Sequence, residues 1–110
     1  MTPEQARRVL GLVGLGIRSR NAVVGAEQVR AAAKKGTLVL ALVACDASEN
    51  SLAKLLPLLR ARRVPVVETL TTAQLGVVAG RNQTAAIGII DRSLASGILG
   101  AVESGSMEPR

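Results

Sequence analysis

Two uninterrupted apolar runs, residues 38–44 and 85–90, constrain this chain more than anything else in it. A strand with one wet face alternates apolar and polar residues. A run of six or seven without alternation is buried on both faces and needs helices on each side. The sequence supplies them. Thr2-Pro3-Glu4 reads as a helix start, with Thr as cap and Pro at the first helical position, and the helix runs to about Ile17. Residues 25–35 form a second helix, with Val29, Ala32 and Ala33 inward and Gly36 as its stop. Residues 46–50 open a third, which carries Leu52, Leu55, Leu56 and Leu59 at i, i+3, i+4 and i+7. Pro57 is expected to kink or interrupt it, and Arg60, Arg62 and Arg63 suit the negative end of its dipole. Thr71-Thr72 caps a short fourth helix over residues 73–79, and Asp91 caps a fifth to about Glu103. Short strands at 21–24 and after Pro65 complete the alternation. The fold class is therefore α/β: a three-layer α/β/α sandwich with a central mixed, mainly parallel four-stranded sheet. Residues 1–104 are expected to form one domain, and 105–110 a flexible C-terminal tail.

Composition narrows the chemistry. The chain has no His, Phe, Tyr or Trp, so its core is aliphatic and it has no ring to stack on a base. No metal site, cofactor site or nucleophile–base pair stands out. Asp46 and Glu49 read as helix-start residues, and Ser48 and Lys54 fall on different helix faces. The expectation is a protein without enzyme activity or cofactor. A lone Cys45 excludes an internal disulfide and reads as a buried small hydrophobe in a reducing, cytoplasmic setting. The glycines at 11, 14 and 16 mimic a dinucleotide loop but lie inside the first predicted helix, where they favour close packing. Arg7-Arg8 before nine apolar residues faintly resembles an export signal. Arg18 and Arg20 follow at once, no small-residue cleavage site stands there, and nine residues fall short of the ~20 a membrane span needs. No membrane partner is expected.

Charge points to a polyanion. The net charge is +6, and residues 1–36 hold seven Lys/Arg against two Glu. That asymmetry surrounds the segment opened by Gly25. Free backbone N–H groups at a helix start can meet a phosphate, and a Gln there can pair with a base edge as donor and acceptor. A Glu only accepts, which suits the amino and imino donors of an exposed guanine. RNA exposes such edges where it is bulged, kinked or non-canonically paired. Gly25, Glu27 and Gln28 thus form a candidate RNA-binding site, with Arg18, Arg20, Arg30, Lys34 and Lys35 holding the flanking backbone. Glu and Gln in a first turn also serve plain helix chemistry.

Several motifs carry a resemblance. Gly-x-x-Gln opens the second helix and Lys35-Gly36 closes it. An apolar strand runs into Ala44-Cys45-Asp46-Ala47-Ser48-Glu49-Asn50. Val64-Pro65-Val66, Leu75-Gly76 and Gly80 follow. Over about residues 5–103 the chain resembles the kink-turn-binding ribosomal protein superfamily (L-seven-Ae and L-thirty-e), and within it the bacterial YlxQ-like branch. The resemblance implies an α/β/α sandwich that binds structured RNA without catalysis, a monomer associated with the ribosome or another ribonucleoprotein.

The resemblance also implies site residues. In that family Gly-small-Asn-Glu-x-x-Lys opens the second helix, and its Asn and Glu read sheared G·A pairs. Here the Gly and small positions are Gly25 and Ala26, the Asn position is Glu27, the Glu position is Gln28 and the Lys position is Ala31. Three base-reading or supporting positions are therefore altered, and Arg30 points about 100° away from position 31. A second family loop, which shields a flipped or stacked base, falls on Gly80, Arg81, Asn82, Gln83 and Thr84. The alternative is a protein-interaction module that kept the fold and lost specific RNA recognition. A small-ligand domain is a third class, but no cradle for a ligand is visible.

Overall fold

A computed structural model describes residues 1–104; the expected tail at 105–110 lies outside the described residues. The chain forms α1 (Pro3–Arg18), β1 (Ala22–Val24), α2 (Ala26–Lys35), β2 (Leu40–Val43) and α3 (Glu49–Ala61). It continues through β3 (Val66–Val67), α4 (Thr72–Val78), β4 (Ala86–Ile89) and α5 (Arg92–Ser104). The strands lie in the order β1-β4-β2-β3 in one mixed sheet.

The continuous apolar runs are explained by burial on both faces. Leu40, Leu42 and Ala44 join Ile87 and Ile89 in a core with α1, α4 and α5. Ala41, Val43 and Ala86 face the other way, against Val29 and Ala33 of α2 and Leu55 and Leu59 of α3. The period of two is intact, and both phases meet a helical layer. Of the three glycines of α1, two pack as expected, while Gly11 is exposed with open space around it. Gly14 and Gly16 are buried, and a β-carbon on Gly16 would run into Leu94 of α5.

Four expectations are corrected. The sheet is mixed but not mainly parallel: only β2–β3 is parallel, while β4 is antiparallel to both β1 and β2. The reason lies in α4. The β3–β4 connection is long enough for a parallel crossover, but α4 has only seven residues and the chain folds back on it. The loop after it returns instead, so that the Thr84 N–H donates to the Thr72 carbonyl (3.1 Å), and β4 enters at the end where β3 left. Pro57 does not break α3. The helix runs through it with the ring exposed, so the missing donor falls on the solvent side of a helix held by Leu55 and Leu59. Cys45 is exposed, because β2 ends at Val43 and the chain has left the sheet two residues later. Asp46 does not cap α3, whose N-cap is Ser48, but reaches the start of α4. No helix among the described residues is long and apolar enough to cross a membrane.

Candidate nucleic-acid interface

Strand directions decide which loops meet. β1, β2 and β3 run one way and β4 the other, so the ends of the first three and the start of β4 share one end of the sheet. Hydrogen bonds join these loops. The Gly25 N–H donates to Ala86 O (2.8 Å), that of Ala44 to Ala85 O (2.8 Å), and that of Cys45 to Leu70 O (2.8 Å).

At this end α2 begins. Gly25 is its N-cap, with φ 99 and ψ 152, a conformation nearly restricted to glycine. Having no side chain, it makes no side-chain cap, so the first-turn N–H groups of α2 lack one. The 80–84 loop comes over this start. A β-carbon on Gly25 would lie 3.6 Å from the Arg81 Nη1, with nothing else close. At that distance an added β-carbon would only touch the guanidinium, so what glycine supplies here is the backbone conformation, and Arg81 lies close to the first turn of α2. Glu27 and Gln28 are exposed in that first turn. The Glu27 carboxylate is 3.8 Å from the Arg30 Nη1, a partly solvated pair that offsets its charge. Ala26 is half-buried against the core beneath α2.

Gly76 holds the loop in place. A β-carbon there would collide with the Gln83 backbone and lie 2.7 Å from the Asn82 carbonyl oxygen. Bare backbone at Gly76 lets the loop lie on α4, and the Arg81 N–H donates to the Gly76 carbonyl (2.7 Å). Gly80 turns the chain with φ 74. The sequence reading gave Gly76 no role in the site. Its signal was an isolated glycine inside a helical stretch, which marks a close backbone approach. Asp46 braces the same helix from the β2–α3 loop. Its carboxylate accepts from the Thr72 N–H (2.7 Å) and the Thr72 hydroxyl (3.1 Å). The backbone bond holds the Asp46 carboxyl below the usual carboxylate range.

The predicted site divides. Gly25 and Arg81 come together, and Ala26 and Glu27 follow Gly25 in the first turn of α2, with Arg30 one turn further along; the Asn82 and Gln83 backbone lies on Gly76 of α4, and Gln28 lines a groove along α2 with Ala31, Lys35 and Thr37. Thr84 belongs to the loop but is buried, where it anchors the return to the sheet instead of offering a contact. Arg20, Lys34 and Lys35 sit at the other end of the sheet. Arg18 also begins there, and its guanidinium turns back along α1 to within 3.4 Å of where a Gly14 β-carbon would be. Neighbours of Gly25 in sequence, these four are not neighbours of its N–H in space, because β1 and α2 each carry the chain roughly 13 Å away. The loops and helix starts at the Gly25 end carry Glu27, Asp46, Glu49 and Glu68 against Arg81.

The model of the ribosomal protein L7Ae/L30e/S12e/Gadd45 family matches residues 8–99. Among solved structures, a protein of unknown function from Bacillus halodurans is 27% identical, with a TM-score of 0.80 over 87% of this chain and 97% of that one. A Giardia lamblia 15.5kD RNA binding protein is 21% identical, with a TM-score of 0.76 over 97% of this chain and 92% of its own, a likeness of fold. No curated protein matches the chain in sequence.

Proposed function

Because the chain belongs to the ribosomal protein L7Ae/L30e/S12e/Gadd45 family, whose members are mostly non-catalytic RNA-binding proteins, we propose that it binds structured RNA through the end of the sandwich where α2 begins. The observation that carries this reading is the Arg81 guanidinium lying over Gly25, beside an α2 start without a side-chain cap. A cation and a row of backbone donors converge there on one spot, which suits a phosphate at a sharp bend in RNA. Glu27, exposed in the same first turn, supplies acceptors for exposed base edges, and Gln28, which lines a groove along α2, supplies an amide donor and acceptor.

The altered positions set the specificity. With Glu27 at the Asn position and Gln28 at the Glu position the carboxylate and the amide exchange places, so position 27 suits guanine N1–H and N2–H₂ while position 28 gains a donor, and Ala31 removes the Lys charge. The target is a kinked or bulged RNA, not necessarily a standard kink-turn. We place the chain in the YlxQ-like branch, as a cytoplasmic, monomeric, ribosome-associated protein.

The test compares kink-turn, bulged and plain duplex RNAs of equal length across a salt series. Glu27→Ala with Gln28→Ala should erase the preference among them and leave salt-sensitive background binding. The expected loss is about 1–3 kcal/mol, the scale of one bidentate base reader. No binding at low salt, or a preference unmoved by the double variant, defeats the reading. The second reading, a protein-interaction module, draws on the four carboxylates Glu27, Asp46, Glu49 and Glu68 at this end. Partner capture that survives nuclease treatment would favour it.

A further inference from the structure

Helices α1, α2 and α3 all end at the sheet end opposite Gly25. Each stops on a residue with left-handed backbone: Arg20 (φ 64), Gly36 (φ 80) and Arg63 (φ 57). The hydrogen bonding is the same in all three turns. Asn21 N–H donates to Gly16 O, Thr37 N–H to Ala32 O, and Val64 N–H to Leu59 O. Glycine is the residue such a turn favours, and only the α2 turn has it. Arg20 and Arg63 are the two non-glycine residues with positive φ among those described, and both are exposed. Two arginines are thus held at strained positions where glycine would fit better.

A groove of about 680 Å³ adjoins the third turn, between the α3–β3 connection and one face of α5. Arg62, Arg63 and Arg92 line it over a floor that includes Val39, Pro65 and Leu99, and Glu103 closes its far end. Lys34, Lys35, Arg60 and Arg20 belong to the same end of the sheet. Among the described loops there, Asp91 is the one carboxylate, and it is engaged as the α5 cap by the Leu94 N–H (2.8 Å). Basic residues commonly complement helix C-termini. That role does not account for Arg92, which begins a helix, nor for arginine in place of glycine at a left-handed turn.

We propose that this end is a second RNA-contacting surface, in which Arg62, Arg63 and Arg92 bind backbone phosphates without reading sequence. The inference rests on the RNA-binding reading above and extends it: bases are read at the Gly25 end, and the flanking backbone is held at the other. Guanidinium groups match phosphate oxygens two by two, and a concave cationic groove with one distant carboxylate complements a polyanion.

The test uses the whole chain, a kink-turn RNA and a plain duplex RNA. Combined Arg62→Gln, Arg63→Gln and Arg92→Gln should lower the slope of log affinity against log salt by about 2 to 3 for both RNAs and keep their affinity ratio. An unchanged slope overturns the proposal, as does a loss confined to the kink-turn RNA or a slope restored only by an acidic protein partner. Arg63→Gly separates function from structure. It should raise the melting temperature by relieving the left-handed arginine while cutting the slope by about 1. A lower melting temperature would mean the arginine is there for the fold, which counts against the proposal. If the native chain binds both RNAs equally and the triple variant still flattens the slope, this surface stands and the Gly25 reading falls. If the native chain binds neither, both fall.

Discussion

The two ends of the sheet solve the same problem of turning the chain in opposite ways. At the α2 start, glycines supply what a side chain would forbid: Gly25 takes a backbone conformation nearly restricted to glycine, and Gly76 lets the 80–84 loop lie directly on α4. At the other end, two of three helix exits keep an arginine where a glycine would be more comfortable. One end is therefore specified by shape and carries more carboxylates than cations. The other is specified by charge on ordinary turns. A protein that must distinguish one folded RNA from another, yet hold any RNA backbone, has use for both, and the separation predicts that the two properties can be removed one at a time.

The largest effect should come from Gly76→Val. Its side chain has backbone on the facing side, which cannot rotate away, so the loop must lift from α4. Overpacking of this kind costs about 1–3 kcal/mol, and this site belongs at the upper end. A thermal melt measures the loss, and RNA preference should vanish together with the position of Arg81. An unchanged melt with intact preference would break the view that shape rules this end. Gly25→Ala should follow, at about 2 kcal/mol within the 1–3 typical of a residue held in a glycine-only region. Nothing but the Arg81 tip is near the added carbon, so here the cost is conformational. Denaturant titration of Gly25→Ala should show it, with weaker RNA preference and the salt slope retained.

The same contrast explains what could be read in the chain beforehand. The layers were visible because two apolar runs without alternation admit only burial on both faces, and Leu55 and Leu59 announce the helix that covers one of them. Strand direction was not visible, because it depends on whether a seven-residue helix and its loop cross the sheet or return, and the Thr84–Thr72 bond that decides it joins residues twelve apart. The glycine at 25 could be read from its place between strand and helix. The basic residues around it could not be placed, since a three-residue strand and a ten-residue helix carry Arg20 and Lys35 to the far end while leaving them close in sequence. Arg62, Arg63 and Arg92 share a groove only because α5 folds back beside the α3–β3 turn. Asp46 was legible as a helix cap, but its helix is α4, twenty-six residues on.

That long-range cap gives the smallest effect and the finest probe of the shape-built end. The Thr72 N–H bond favours the ionised Asp46, so its carboxyl titrates lower in the folded chain than in the unfolded one. The stabilisation is therefore fully present above the unfolded value and is lost as pH falls through the folded one. Asp46→Asn keeps an acceptor but no charge. It should melt slightly below the native chain at neutral pH, and the gap should close in acid. Protection of the Thr72 and Thr84 amides from exchange, relative to the intrinsic rate at each pH, should fall in the native chain over that same acidic window, while protection at Val64, in the arginine-bearing turn, stays constant. If Thr72 and Val64 respond alike, acid acts on the sheet as a whole and the two ends are not independent. If Thr72 responds alone, the 80–84 loop can be loosened by protonating one carboxylate. RNA preference, which depends on Arg81 keeping its place above Gly25, should then fall with pH before the salt-sensitive background does.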